Sequence, residues 1–134
     1  MYRSYPLVVL WICALVFLGV GIAFTVMPQE MFAPLGLVVP DGAPLTELRA
    51  LYGGLELAIA VFLLLCARRG GVAVELGLLL SFLLLSGLAV YRGIGMGIDG
   101  PQVPMMSALL ILEAAGAVFA LSGLLVLGRG GGRH

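Results

Sequence analysis

The sequence predicts an all-α integral membrane protein, a four-helix bundle running up-down-up-down with both termini on the cytoplasmic side. Composition is the first ground: of 134 residues, 62% are apolar and 10% charged, and the mean hydropathy is +1.19. An average soluble domain carries about 25% charged residues. The second ground is four apolar stretches, each close to the roughly 20 residues that cross a bilayer core as a helix. The third is the lack of alternation. Runs such as Val61-Phe62-Leu63-Leu64-Leu65 are apolar on every side, whereas barrel strands alternate residue by residue. Disorder and a disulfide scaffold do not fit so much apolar surface with only two cysteines. Seven arginines balance seven acids, which leaves no net field to attract nucleic acid.

The single membrane domain spans 1–134, and the first membrane span is expected over about 5–27, without a charge. A cleaved signal peptide is the competing reading of this segment, because Arg3 precedes it. The run is longer than the usual 7–15 apolar residues, however, and no small-x-small cleavage site follows. Pro28, Pro34, Pro40 and Pro44 punctuate the next loop, whose Met31, Phe32, Leu35 and Leu37 suit a segment dipping into the interface. Span two is placed at about 45–66 and span three at about 72–91, joined by the tight turn Arg68-Arg69-Gly70-Gly71. Gly93, Gly95, Gly97, Gly100, Pro101 and Pro104 mark the last connection, and span four follows at about 105–127. Gly93-x-Gly95-x-Gly97 is read as a flexible turn, because a nucleotide loop needs a strand before it. Pro44 and Pro104 stand where a helix begins and a missing N–H costs nothing.

Orientation follows from the arginines. Arg3, Arg68, Arg69, Arg129 and Arg133 share one side if both termini do, and the other side receives Glu30, Asp41, Glu47 and Asp99, with Arg49 and Arg92 near its helix ends. Positive residues collect on the cytoplasmic face. The expected location is therefore the bacterial inner membrane, with both termini inside. Tyr2, Tyr5 and Trp11 are the candidate interface anchors at the inner end.

Ionisable residues inside the spans carry the functional expectation, because each costs about 2.5–3.5 kcal/mol at the centre of a membrane helix. Arg49, Tyr52, Gly53 and Glu56 have spacings that align on one face of an α-helix. Glu113 stands on a stripe with Gly116, Ala117 and Ala120. At 1.5 Å per residue, Arg49 lies about 6 Å from the outer surface, Glu113 about 12 Å and Glu56 about 16 Å. Arg92, at the outer end of span three, is expected to lean back into the membrane. The four charges should therefore meet in a roughly neutral pocket, with Tyr52 supplying a hydroxyl and Asp99 and Glu47 at the mouth. The competing reading is that these groups only bridge helices and fix their register. Glu75 is expected to cap the start of span three within reach of Arg68 or Arg69. Gly53-Gly54 is expected to allow close helix approach.

At these residues the chain resembles a known family. Glu47-Leu48-Arg49-Ala50-Leu51-Tyr52-Gly53-Gly54-Leu55-Glu56 is similar to the signature of the domain of unknown function 4345 family, small bacterial proteins with four spans. The proline-bearing loop, Arg92-Gly93, Asp99-Gly100-Pro101 and Glu113 match as well, so that the resemblance covers about residues 7–126. It implies a fold and a set of pocket residues, and it implies no activity. DoxX-like proteins share the general layout more loosely.

Several chemistries fall away on residue types alone. The only histidine is His134, whereas a di-iron bundle uses Glu-x-x-His pairs; no metal and no cofactor is expected. No Ser–His–acid or Cys–His set can be assembled. Cys13 and Cys66 are expected to be buried free thiols. Carboxylate chemistry survives: two glutamates with unequal access to arginine would divide into a protonated and an ionised member. The leading reading is an outward-facing pocket for a small or lipid-like molecule, with Arg49, Tyr52, Arg92 and Asp99 as binding residues. The alternatives are an enzyme using Glu56 and Glu113 as acid and base on a lipid or isoprenoid, and a structural subunit of a membrane complex. Membrane lipid, a small apolar ligand and a second copy of the chain are the expected partners.

Overall fold

The computed structural model describes residues 4–100 and 103–131, with Gly130 and Gly131 as backbone only. Tyr2, Arg3, Pro101, Arg133 and His134, which entered the sequence reading, lie outside the described residues. All regular structure among the described residues is helical. Helix α1 spans Tyr5–Val26 and is followed by a short α2, Pro28–Phe32, and a single 3-10 turn at Ala33–Leu35. Next come α3, Ala43–Leu48, a π-helical segment at Arg49–Gly54, and α4, Leu55–Arg69, in one continuous rod. Helix α5 runs Val72–Ile98 and α6 runs Pro104–Gly131. Among the described residues, four helices are thus long and apolar enough to cross a membrane: Tyr5–Val26, Ala43–Arg69, Val72–Ile98 and Pro104–Arg129.

The helices start where turn chemistry directs. Pro6, Pro28, Pro44 and Pro104 lie at or beside a first helical residue, where the ring's fixed φ suits the helix. Gly70 and Gly71 divide α4 from α5 with φ of +70° and +55°, a region open to glycine and strained for other residues. Span three differs from the sequence expectation. It continues past Tyr91 to Ile98, so Gly93, Gly95 and Gly97 are helical residues and not a turn. In hydrocarbon every backbone group needs an internal partner, and that requirement outweighs the weak helix propensity of glycine.

Helix α1 is the centre of the packing. It contacts α4, α5 and α6, while α5 lies along α6. Close approach depends on small residues. A Cβ on Gly21 would stand 2.9 Å from the Leu57 amide nitrogen, and one on Gly53 would stand 2.6 Å from Thr25 Oγ1. A Cβ on Gly54 would meet nothing within 4 Å. Only the first glycine of the pair therefore makes the expected close contact. Ala117 and Ala120 are buried, and Gly116 faces Leu85. One buried cluster joins Val9, Leu10, Cys13, Leu63, Cys66 and Leu78. Both cysteines are free and buried. Large side chains such as Leu15, Leu83, Ile111, Leu112 and Val118 are each more than half exposed, an apolar exterior suited to lipid.

The loop after α1 is not a bare linker. Phe32 is 1% exposed and packs with Phe24, Val39 and Leu45 in a second cluster. Gln29 donates to the Val39 carbonyl (3.4 Å) and to Asp41 Oδ1 (3.1 Å), which ties the loop's two ends together. At the opposite end of the bundle the Tyr5 and Ser122 hydroxyls pair at 2.8 Å. Trp11 packs against the main cluster, so it serves the core.

Candidate functional site

Between the second cluster and α6 lies a cavity of about 190 Å³. Helix α1 contributes Val16, Phe17, Val20 and Phe24; the second span contributes Tyr52 and Glu56. Helix α5 supplies Leu85, Leu88 and Arg92, and α6 supplies Leu109 and Glu113. The walls are apolar and the polar groups are few. Three ionisable side chains from three different helices therefore face one void.

Arg92 and Glu113 form the closest of these contacts. Arg92 Nε donates to Glu113 Oε2 at 2.8 Å and Nη2 donates to Oε1 at 2.5 Å. Both carboxylate oxygens are engaged by one planar fork, the bidentate geometry that gives such pairs their strength. Glu113 is 9% exposed. Arg92 Nη1 also lies 3.3 Å from Met106 Sδ, which fixes the guanidinium along α6. The pair is possible because α5 continues to Ile98: six residues of helix, about 9 Å, lie beyond Arg92. Its side chain thus begins inside the span.

Glu56 is half-buried and lines the same cavity. Among the described residues it makes no hydrogen bond or ion pair, whereas Arg92 and Glu113 form an ion pair. Beside it Tyr52 joins an aromatic trio. Its ring centroid lies 5.3 Å from that of Phe24 and 5.1 Å from that of Phe32, and the two phenylalanines stand 5.0 Å apart. Such offset and edge-on arrangements suit the ring quadrupoles. Tyr52 remains 43% exposed and stands at the cavity's rim.

The structure brings together Tyr52, Glu56, Arg92 and Glu113, and it leaves Arg49, Glu47 and Asp99 apart. All three are exposed and none lines the cavity. The cause for Arg49 is backbone geometry. Over Arg49–Gly54 the helix is of the π type, and the Leu55 amide donates to the Ala50 carbonyl five residues back. A turn holding one more residue breaks the three, four and seven spacing on which Arg49 and Glu56 would share a face. Asp99 follows the last residue of α5, where its amide donates to the Gly95 carbonyl. The site therefore holds one arginine and two acids in place of the expected balanced set. Glu75 is exposed in the first turn of α5 and forms no ion pair with Arg68 or Arg69. Phe24 and Met106 were missed by sequence reasoning. In so apolar a chain they carry no signal that separates them from core residues.

Compared with curated proteins and with solved structures, the chain finds no match. A family model matches residues 7–124, nearly the whole region that carries the four helices and the cavity. The chain is thus a small membrane protein that belongs to the family described as a domain of unknown function (DUF4345).

Proposed function

We propose that this protein resides in the bacterial inner membrane with both termini in the cytoplasm, and binds a small or lipid-like molecule in an outward-facing cavity. The single observation behind the binding reading is the convergence of Glu56, Arg92 and Glu113 on one apolar-walled void. A charge within a membrane helix costs about 2.5–3.5 kcal/mol, and a polar contact between membrane helices returns about 0.6 kcal/mol on average. Bridging accounts for Arg92 and Glu113, which satisfy each other. It does not account for Glu56, which bridges nothing. A void of 190 Å³ has room for on the order of six waters. This suits the head of an amphiphile or a very small molecule, and not a whole lipid. The π-helical segment supplying Tyr52 supports the reading, since such segments cluster at functional sites.

Orientation follows from charge. Arg68, Arg69 and Arg129 gather at the end of the bundle away from the cavity, and the rule that places positive residues in the cytoplasm turns the cavity outward. The two-carboxylate enzyme reading is weakened by Glu113, whose two oxygens both accept hydrogen bonds from Arg92.

Native mass spectrometry of protein purified from membranes tests the proposal. An adduct of one defined mass is expected on the wild-type chain. Val20→Phe, which fills the cavity with a ring, should remove the adduct and leave the helical circular dichroism unchanged. A wild-type chain without an adduct, or an adduct unaffected by the filled cavity, overturns it.

A further inference from the structure

We propose that the molecule held in this cavity carries a cationic, ammonium-type head, set against the Glu56 carboxylate and the face of Tyr52. The inference rests on the binding reading above and names its chemical class. Among the described residues, the acidic and basic side chains lining the cavity are Glu56, Arg92 and Glu113. Arg92 and Glu113 neutralise each other through two hydrogen bonds of 2.8 and 2.5 Å. The Nε–Nη2 edge that would grip a phosphate or carboxylate is thereby occupied, and Nη1 is turned to Met106 Sδ at 3.3 Å. What remains uncompensated is one acid. Glu56 lines the void with no hydrogen bond or ion pair among the described residues.

The aromatic wall points to the same chemistry. Phe24 and Tyr52 both line the void, with centroids 5.3 Å apart, and Phe32 backs them at 5.0 and 5.1 Å. Aromatic rings attract a cation, and aromatic cages are a recurrent way to hold an ammonium group. An anionic head would meet an uncompensated carboxylate with no free cation to offset it. Leu85, Leu88 and Leu109 complete the lining and suit the carbons next to the nitrogen. The geometry needs no contribution from Arg49, which stands apart.

Calorimetric titration of the full chain in dodecyl maltoside, with heats from protein-free micelles subtracted, tests the class. The probes are decylammonium, decanol and decyl sulfate, which share a tail and differ in head charge. Decylammonium should bind at least tenfold more tightly than decanol, and decyl sulfate should bind no better than decanol. Glu56→Gln should bring decylammonium to the level of decanol. Equal ranking of the three heads by the wild-type chain, or a preference that survives Glu56→Gln, overturns the cationic assignment and leaves the binding site standing. The wild-type ranking decides the matter even where the variant does not fold. No saturable binding of any head refutes both proposals. Ethylammonium, which has no tail, separates the sources. Saturable binding assigns the head to a soluble amine, and its absence with decylammonium bound assigns it to a membrane amphiphile.

Discussion

Arg92 and Glu113 show why a charged side chain is tolerated in a helix that faces lipid. Each alone would be an unpaired charge in an apolar bundle. Joined by a bidentate contact, with Glu113 9% exposed, they form a neutral unit. Breaking such a unit is worse than never having it, because the surviving partner is left charged and desolvated. Arg92→Met should therefore destabilise the protein by on the order of 3 kcal/mol, read as a fall in the midpoint of thermal unfolding in detergent. Arg92→Met combined with Glu113→Leu should recover most of that loss, since the uncompensated acid is gone. A double-variant loss equal to the sum of the Arg92→Met and Glu113→Leu losses would show that the two residues act independently. At this scale the sequence was informative: Tyr52, Glu56, Arg92 and Glu113 were each legible as polar groups inside apolar spans. Their partners were not. Which acid Arg92 takes depends on α5 lying along α6, and a single span says nothing of its neighbour.

Helices in this bundle approach through glycine, and the approach is selective. Gly21 faces the Leu57 backbone, where a Cβ would lie 2.9 Å from the amide nitrogen, whereas a Cβ on Gly19 meets nothing within 4 Å. Backbone cannot rotate aside as a side chain can. Gly21→Ala should thus force α1 from α4 and cost about 1–3 kcal/mol, the usual range for overpacking. Gly19→Ala should leave stability unchanged or raise it by up to about 1 kcal/mol through better helix propensity. Thermal unfolding of the two variants side by side checks the contrast. The same pair illustrates what sequence reading of elements can do here. Existence and order of the four spans follow from hydropathy alone. Two internal details do not: the π turn at Arg49–Gly54, which takes Arg49 off the cavity face, and the continuation of α5 through Gly93, Gly95 and Gly97. Both are set by surroundings. Glycine reads as a breaker in water, yet the bilayer enforces backbone hydrogen bonding and glycine is common within membrane helices.

Across the whole molecule, polarity is divided between two ends. The cavity end holds Glu56, Arg92 and Glu113 and the loop closed by Gln29 and Asp41, while Arg68, Arg69 and Arg129 occupy the other. In the proposed orientation the arginine end lies in the cytoplasm and the cavity end faces away from it. One measurement of sidedness tests that orientation. Val38 is 96% exposed in the loop beside the cavity end, and Val72 is 72% exposed at the turn of the arginine end. Cys13 and Cys66 are buried and contribute little background to thiol labelling. In spheroplasts, a membrane-impermeant maleimide should label Val38→Cys at once and Val72→Cys only after the membrane is permeabilised. The reverse pattern would place the cavity on the cytoplasmic side. The head-selective site would then draw its amine from inside the cell, and the binding experiments would have to be read for a cytoplasmic ligand.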